Sequence, residues 1–101
     1  MQHLTTVEQF NALLTSGTRF IVWCSAAWCK PCQRMDKDVL VSAVVEKGIP
    51  MYYCDDTVNP QVTVLCGIKT FPTFCYFKGG ALVGTRNSAD AAKVGMYIRS
   101  L

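Results

Sequence analysis

The chain has little of what membranes, nucleic acids and metals demand. No apolar stretch in its 101 residues approaches the roughly 20 needed for a helix to cross a bilayer, so no membrane partner is expected. Its first residues, Met1-Gln2-His3-Leu4-Thr5-Thr6, lack the basic head and apolar segment of a secretory signal. The expectation is a soluble intracellular protein, cytoplasmic by default. The net charge is only +3, and the basic residues form no arginine-rich block, so no nucleic-acid partner is expected either. His3 is the sole histidine and receives no role at a fraying terminus. With no histidine cluster and only one closely spaced cysteine pair, the four ligands of tetrahedral zinc are not in view, and no metal is expected. Repeats, linkers and low-complexity tracts are missing too, which leaves a single domain over residues 1–101.

What is present is apolar and rich in sulfur. Half the residues are hydrophobic against 17% charged, a balance that folds and does not stay disordered. Six cysteines could suggest a disulfide framework, yet only Cys29 and Cys32 have a motif spacing. Cys24, Cys54 and Cys75 fall inside apolar strand-like runs, where cysteine is usually a small inert hydrophobe. Cys66 falls near the end of a short helix, and an exposed thiol there would form an intermolecular disulfide under oxidation. One reactive pair among otherwise reduced thiols suits a reducing compartment.

Local patterns alternate between helix and strand. Thr5-Thr6-Val7-Glu8 fits a capping box with Thr5 as the cap and Glu8 reaching back. Val7, Phe10 and Leu14 follow at helical spacing, and Ser16-Gly17 closes that helix. Phe20–Cys24 is continuously apolar, as in a strand covered on both faces. Met35, Val39 and Ala43, with Leu40 and Val44, predict one long helix from Pro31 to Lys47, stopped by Gly48 and Pro50. Met51–Cys54 is a second buried strand ended by Asp55-Asp56, and a short helix runs from Asn59 or Pro60 to Cys66. Thr73–Phe77 is a third strand, Gly79-Gly80 a hairpin turn, and Ala81–Thr85 its antiparallel return. Ser88 or Asn87 caps a last helix with the apolar face Ala91, Val94, Ile98 and Leu101, weakened by Gly95 by about 1 kcal/mol relative to alanine. The pattern predicts an α/β fold, a mixed central sheet between helices.

Trp28-Cys29-Lys30-Pro31-Cys32 decides the chemistry. It lies between the first strong strand and the long helix, at the sheet end where open α/β folds place their sites. Two sulfurs at this spacing close a small disulfide ring when oxidised. When reduced, the first thiol stands at a helix N-terminus, where free backbone N–H groups favour a thiolate. The thiolate is the nucleophile of thiol–disulfide exchange.

Together with Ala26-Ala27 before it, Asn59-Pro60, Gly67-Ile68-Lys69-Thr70-Phe71-Pro72-Thr73, Phe77-Lys78-Gly79-Gly80 and Gly84, this motif resembles the thioredoxin family. The likeness runs from the first helix to the C-terminus. The family's first strand would have to fit in residues 1–4, so it is short or absent.

The resemblance implies Cys29 as attacking nucleophile and Cys32 as resolving thiol. Pro72 matches the family's cis-proline, with Phe71, Thr73 and Gly84 shaping a groove for substrate backbone. Trp28 covers the site, and Lys30, Pro31 and Trp23 support it. The implied activity is reduction of protein disulfides without a bound cofactor. A thioredoxin reductase would recharge the pair, drawing on NADPH, and peroxiredoxin or ribonucleotide reductase exemplify the substrates. A specialised or more oxidising redoxin recharged by glutathione is the alternative. The protein is expected to be a monomer, with an oxidised dimer through Cys66.

Three departures stand out. Trp23 occupies the position of the family's usual buried aspartate, and Tyr53 that of the lysine often paired with it. Replacing a buried ion pair by packed apolar groups is often neutral or stabilising, but it removes the usual base for Cys32. Lys37 stands where a proline commonly kinks the long helix, so a straighter helix is expected. Lys30, Arg34 and Lys37 recur at helical spacing, a solvated face or a basic rim beside the site.

Overall fold

The computed structural model describes residues 1–101. Its elements are β1 Gln2–His3, α1 Val7–Ser16, β2 Phe20–Ser25, α2 Lys30–Gln33, α3 Lys37–Lys47, β3 Met51–Asp55, α4 Pro60–Leu65, β4 Thr73–Lys78, β5 Ala81–Asn87 and α5 Ala91–Arg99. The five strands form one sheet in the order β1-β3-β2-β4-β5. β1, β3 and β2 run parallel, while β4 is antiparallel to both β2 and β5. This is the expected mixed sheet, and β1 is only two residues long. His3 is not frayed: it pairs with Tyr53, their rings 4.9 Å apart.

Strand alternation divides the core in two. Ile21, Trp23, Phe74 and Tyr76 point to one face, where they meet Leu40, Ala43 and Val44 of α3 and Val94 and Ile98 of α5. Phe20, Val22, Cys24, Cys75 and Phe77 point to the other, against Phe10 of α1 and Val62 of α4. Both faces of β2 are therefore covered, which is why its six residues are all buried. Gly95 lies where α5 meets α3: a Cβ there would stand 3.2 Å from Arg99 Nη1 and 3.7 Å from Val39 Cγ1. Close helix packing thus accounts for a glycine that is unfavourable in isolation.

Three local expectations are corrected. The first capping box is built one residue later, with Thr6 as cap and Gln9 closing it. Gln9 Oε1 accepts from the backbone N–H groups of Thr5 and Thr6, so an uncharged side chain does what Glu8 was expected to do. The last helix is capped by Asp90, whose Oδ1 accepts from the N–H groups of Ala92 and Lys93. Ser88 sits outside and accepts from the Asp90 N–H.

The long helix is also not continuous. It breaks at Arg34–Asp36, and Asp36 caps a new helix by accepting from Asp38 and Val39 N–H. Lys37 does not straighten the segment, because an aspartate just before it offers the backbone an alternative to helical bonding.

Candidate active site

Phe20–Ser25 delivers the chain to the middle of the sheet, and the loop that follows carries the cysteine pair. Two contacts fix that loop. Asp55, at the end of the neighbouring strand, accepts from Ala27 N–H at 3.2 Å, and Gln33 Nε2 donates to the Ala26 carbonyl at 3.0 Å. Asp55 is thus a positioning residue, where its sequence context predicts only a strand terminator.

Cys29 caps α2, and its Sγ accepts from the Cys32 backbone N–H at 3.3 Å. Pro31 stands in the first turn, where its missing N–H leaves no bond unmade. The helix is only four residues long, so the stabilisation of a thiolate here comes from this local N–H and not from a long aligned dipole. Cys29 and Cys32 are joined in a disulfide, with Cα atoms 5.3 Å apart. Both are buried, at 4% and 2% exposure, and pack with Ala26 and Phe71.

The second wall comes from the loop before β4. The Phe71-Pro72 peptide is cis, as the resemblance implies. Phe71 touches the cysteine cluster and meets Trp28 edge to face at 5.7 Å. Trp28 is 64% exposed, so it presents a large aromatic surface beside the disulfide while one edge rests on Phe71. Thr73 Oγ1 donates to the Thr70 carbonyl at 2.7 Å. Asn87 Nδ2, from β5, donates to the Pro72 carbonyl at 2.7 Å and to Thr73 Oγ1 at 3.2 Å. Asn87 is not the expected helix cap: it ends β5 and braces the proline loop.

Gly84 does not join this groove. It pairs with Tyr76 in mid-strand, whereas Thr73 pairs with Asn87. A Cβ on Gly84 would come within 3.1 Å of Tyr97 Oη, so the close approach it permits is to α5 and not to substrate.

On β2, Trp23 is 1% exposed, stacks on Phe74 at 5.4 Å and meets Tyr53 edge to face at 5.1 Å. Tyr53 Oη donates to Ser25 Oγ at 3.1 Å, while Trp23 Nε1 has no partner. Asp55, the carboxylate bonded to the motif loop, is also engaged by Thr57 through its N–H and hydroxyl. Lys30, Arg34, Lys37 and Lys69 are all exposed, and the one ion pair, Arg99 with Glu46, lies elsewhere. The break between α2 and α3 separates Arg34 from Lys37, so no single helix carries the basic residues.

The expected exposed thiol is not found. Val62 and Cys66 are four residues apart on the inner side of α4, and Cys66 is only 3% exposed. Its sulfur faces the buried sulfurs of Cys24 and Cys75, within 4.8 Å, and is not presented to a second chain. Cys24, Cys54 and Cys75 are buried as expected. Burial, with Asp56 and Asp55 nearby, pushes the Cys54 thiol up to about 11, so it stays protonated and unreactive at neutral pH.

Residues 1–99 match the thioredoxin family profile. The chain belongs to the thioredoxin family. It is 30% identical to cattle thioredoxin over 94 residues, 90% of this chain and 88% of that one. It is 24% identical to the mitochondrial thioredoxin-3 of Saccharomyces cerevisiae over 98 residues, 97% of this chain and 77% of the relative. The solved oxidised form of that yeast protein superposes with a TM-score of 0.87, covering 100% of this chain and 95% of the other at 24% identity. Plasmodium falciparum thioredoxin gives a TM-score of 0.88 at 23% identity, covering 99% and 98%. The chain is thus a thiol–disulfide oxidoreductase of thioredoxin type, and Cys29–Cys32 is its redox-active disulfide.

Proposed function

We propose that the chain is a general dithiol reductant of protein disulfides, working as a monomer in the cytoplasm and recharged by an NADPH-driven thioredoxin reductase. The observation that carries this reading is the placement of Cys29: helix cap, N–H donor at 3.3 Å, and the Trp28–Phe71 aromatic pair beside it. A thiol with pKa near 8.5 is only about 3% thiolate at pH 7, and one near 7, the value known for thioredoxin, is about half. The Cys32 N–H favours the charged form.

The cycle has two exchanges. Cys29 thiolate attacks one sulfur of a substrate disulfide, forming a mixed disulfide and expelling the other sulfur as thiolate. Cys32 then loses its proton and attacks Cys29 Sγ, releasing the second substrate sulfur as thiolate. Substrate gains two electrons and the Cys29–Cys32 pair loses them; a reductase returns them from NADPH. Extended substrate backbone lies along Phe71-Pro72-Thr73. Peroxiredoxin and ribonucleotide reductase are candidate substrate classes. A solved relative is described as serving thiol resolution in a yeast mitochondrial 1-Cys peroxiredoxin through glutathione and thioredoxin systems.

The aromatic replacement of the buried acid supports one alternative, a specialised redoxin recharged by glutathione. Insulin disulfide reduction separates the two. The main reading expects turnover with NADPH and a thioredoxin reductase; turnover with glutathione as sole reductant, and none with the reductase, overturns it.

A further inference from the structure

Sequence spacing scatters Cys24, Cys66 and Cys75 over 51 positions, yet the fold brings their sulfurs within 4.8 Å of one another. Cys24 comes from β2, Cys75 from β4 and Cys66 from the end of α4. Cys24 and Cys75 are fully buried and Cys66 is 3% exposed. They lie on the sheet face opposite Trp23, among Val22, Val62 and Phe77, and take no part in the disulfide cycle.

We propose that these three sulfurs form a binding site for a soft monovalent cation, Cu(I). Three features favour it. Metal–sulfur bonds of about 2.3 Å, the zinc–thiolate length, set the sulfurs of a trigonal site about 4 Å apart, a small contraction from the present spread. The donor set is sulfur alone in apolar surroundings, the combination that selects soft metals. Zinc is disfavoured because it needs a fourth ligand: the remaining core thiol, Cys54, stands outside the cluster and faces the Asn59 carbonyl at 3.9 Å.

Binding is a proton-for-metal exchange. Cu(I) displaces the protons of two thiols to solvent, and the third thiol turns a sulfur lone pair to the metal. The buried complex carries one net negative charge, and copper enters and leaves as Cu(I), so no electron is transferred. Entry follows from α4, a short helix whose outer residues Val64 and Leu65 are exposed. A single layer of chain separates the sulfurs from solvent on that side.

The test is an anaerobic titration with Cu(I) held by bicinchoninate in ascorbate, using the full chain with Cys29–Cys32 kept as its disulfide. One equivalent of copper should pass to the protein, and X-ray absorption should report a sulfur-only shell of about three. Cys24→Ala, Cys66→Ala and Cys75→Ala, checked for folding by circular dichroism, should each weaken retention at least about 10-fold, the least expected even for loss of an outer-shell partner. Cys54→Ala and the Cys29→Ser/Cys32→Ser double variant should hold copper unchanged. Copper left wholly with the chelator, a shell containing nitrogen or oxygen, or equal loss in Cys54→Ala overturns the proposal. The X-ray measurement on the unaltered chain decides the matter even where a variant fails to fold.

Discussion

Trp23 and Tyr53 are direct partners across the β2–β3 ladder, and their rings meet edge to face at 5.1 Å. By the family resemblance each stands where a buried ion pair is usual, and here the two side chains pack as one aromatic unit. The arrangement fills this part of the core with aromatic carbon and leaves one indole N–H without a partner.

Restoring the acid alone should therefore be harmful. Trp23→Asp puts an unpaired carboxylate into an apolar core and is expected to cost about 3–5 kcal/mol of stability near neutral pH. Burial raises that carboxyl above its unfolded value of about 3.9. The variant is therefore least impaired below pH 4 and loses stability as pH rises. Urea midpoints at pH 4 and pH 7 check the sign; a smaller loss at pH 7 would contradict it.

The same replacement leaves Cys32 without a free carboxylate base, since Asp55 is engaged by Ala27 and Thr57. We therefore predict that resolution of a trapped mixed disulfide accelerates steadily from pH 6 to pH 9, as more Cys32 becomes thiolate. Stopped-flow measurement of the intermediate's lifetime reads this directly. A flat profile would mean that some group in the protein takes the proton.

Asn87 braces the proline loop through two hydrogen bonds. It is exposed, so Asn87→Ala should cost no more than about 1 kcal/mol of global stability. Its effect should fall on substrate docking, raising the KM for a protein disulfide several-fold with kcat little changed. An unchanged KM would remove Asn87 from the groove's support.

Thiol accessibility tests the buried cysteines. In the reduced native protein, iodoacetamide should label Cys29, the attacking thiol, and leave Cys24, Cys54, Cys66 and Cys75 unmodified until denaturant is added. Mass mapping of the alkylated peptides gives the answer. Rapid native labelling of Cys66 would reinstate the exposed thiol that the burial of its side chain denies.

How far the residues themselves foretold the site follows from what each prediction rested on. Local spacing is enough for Cys29 and Cys32, for strands at Phe20–Cys24 and Thr73–Phe77, each of which runs one residue further, and for the Gly79-Gly80 hairpin, because period and turn chemistry are local. The cis Phe71-Pro72 bond was legible only through family likeness, since most X–Pro bonds are trans. The helix break at Asp36 is invisible to periodicity, because the apolar pattern continues on both sides and a single aspartate makes the cap. Asn87, Asp55 and the sulfur cluster were hidden for another reason. Their roles depend on strand register, which sets Cys24 opposite Cys54 and Cys75 opposite Val22, and register is a property of paired strands that no single segment carries.

The central claim is the division of labour between the two motif cysteines, and a trapping experiment tests it most directly. Cys32→Ser and Cys29→Ser, each reduced, are incubated with a disulfide-containing protein and resolved without reductant. The account predicts a stable covalent adduct through Cys29 in Cys32→Ser, and none in Cys29→Ser. An adduct of equal yield in Cys29→Ser would show that Cys32 attacks substrate itself, and would contradict the assignment.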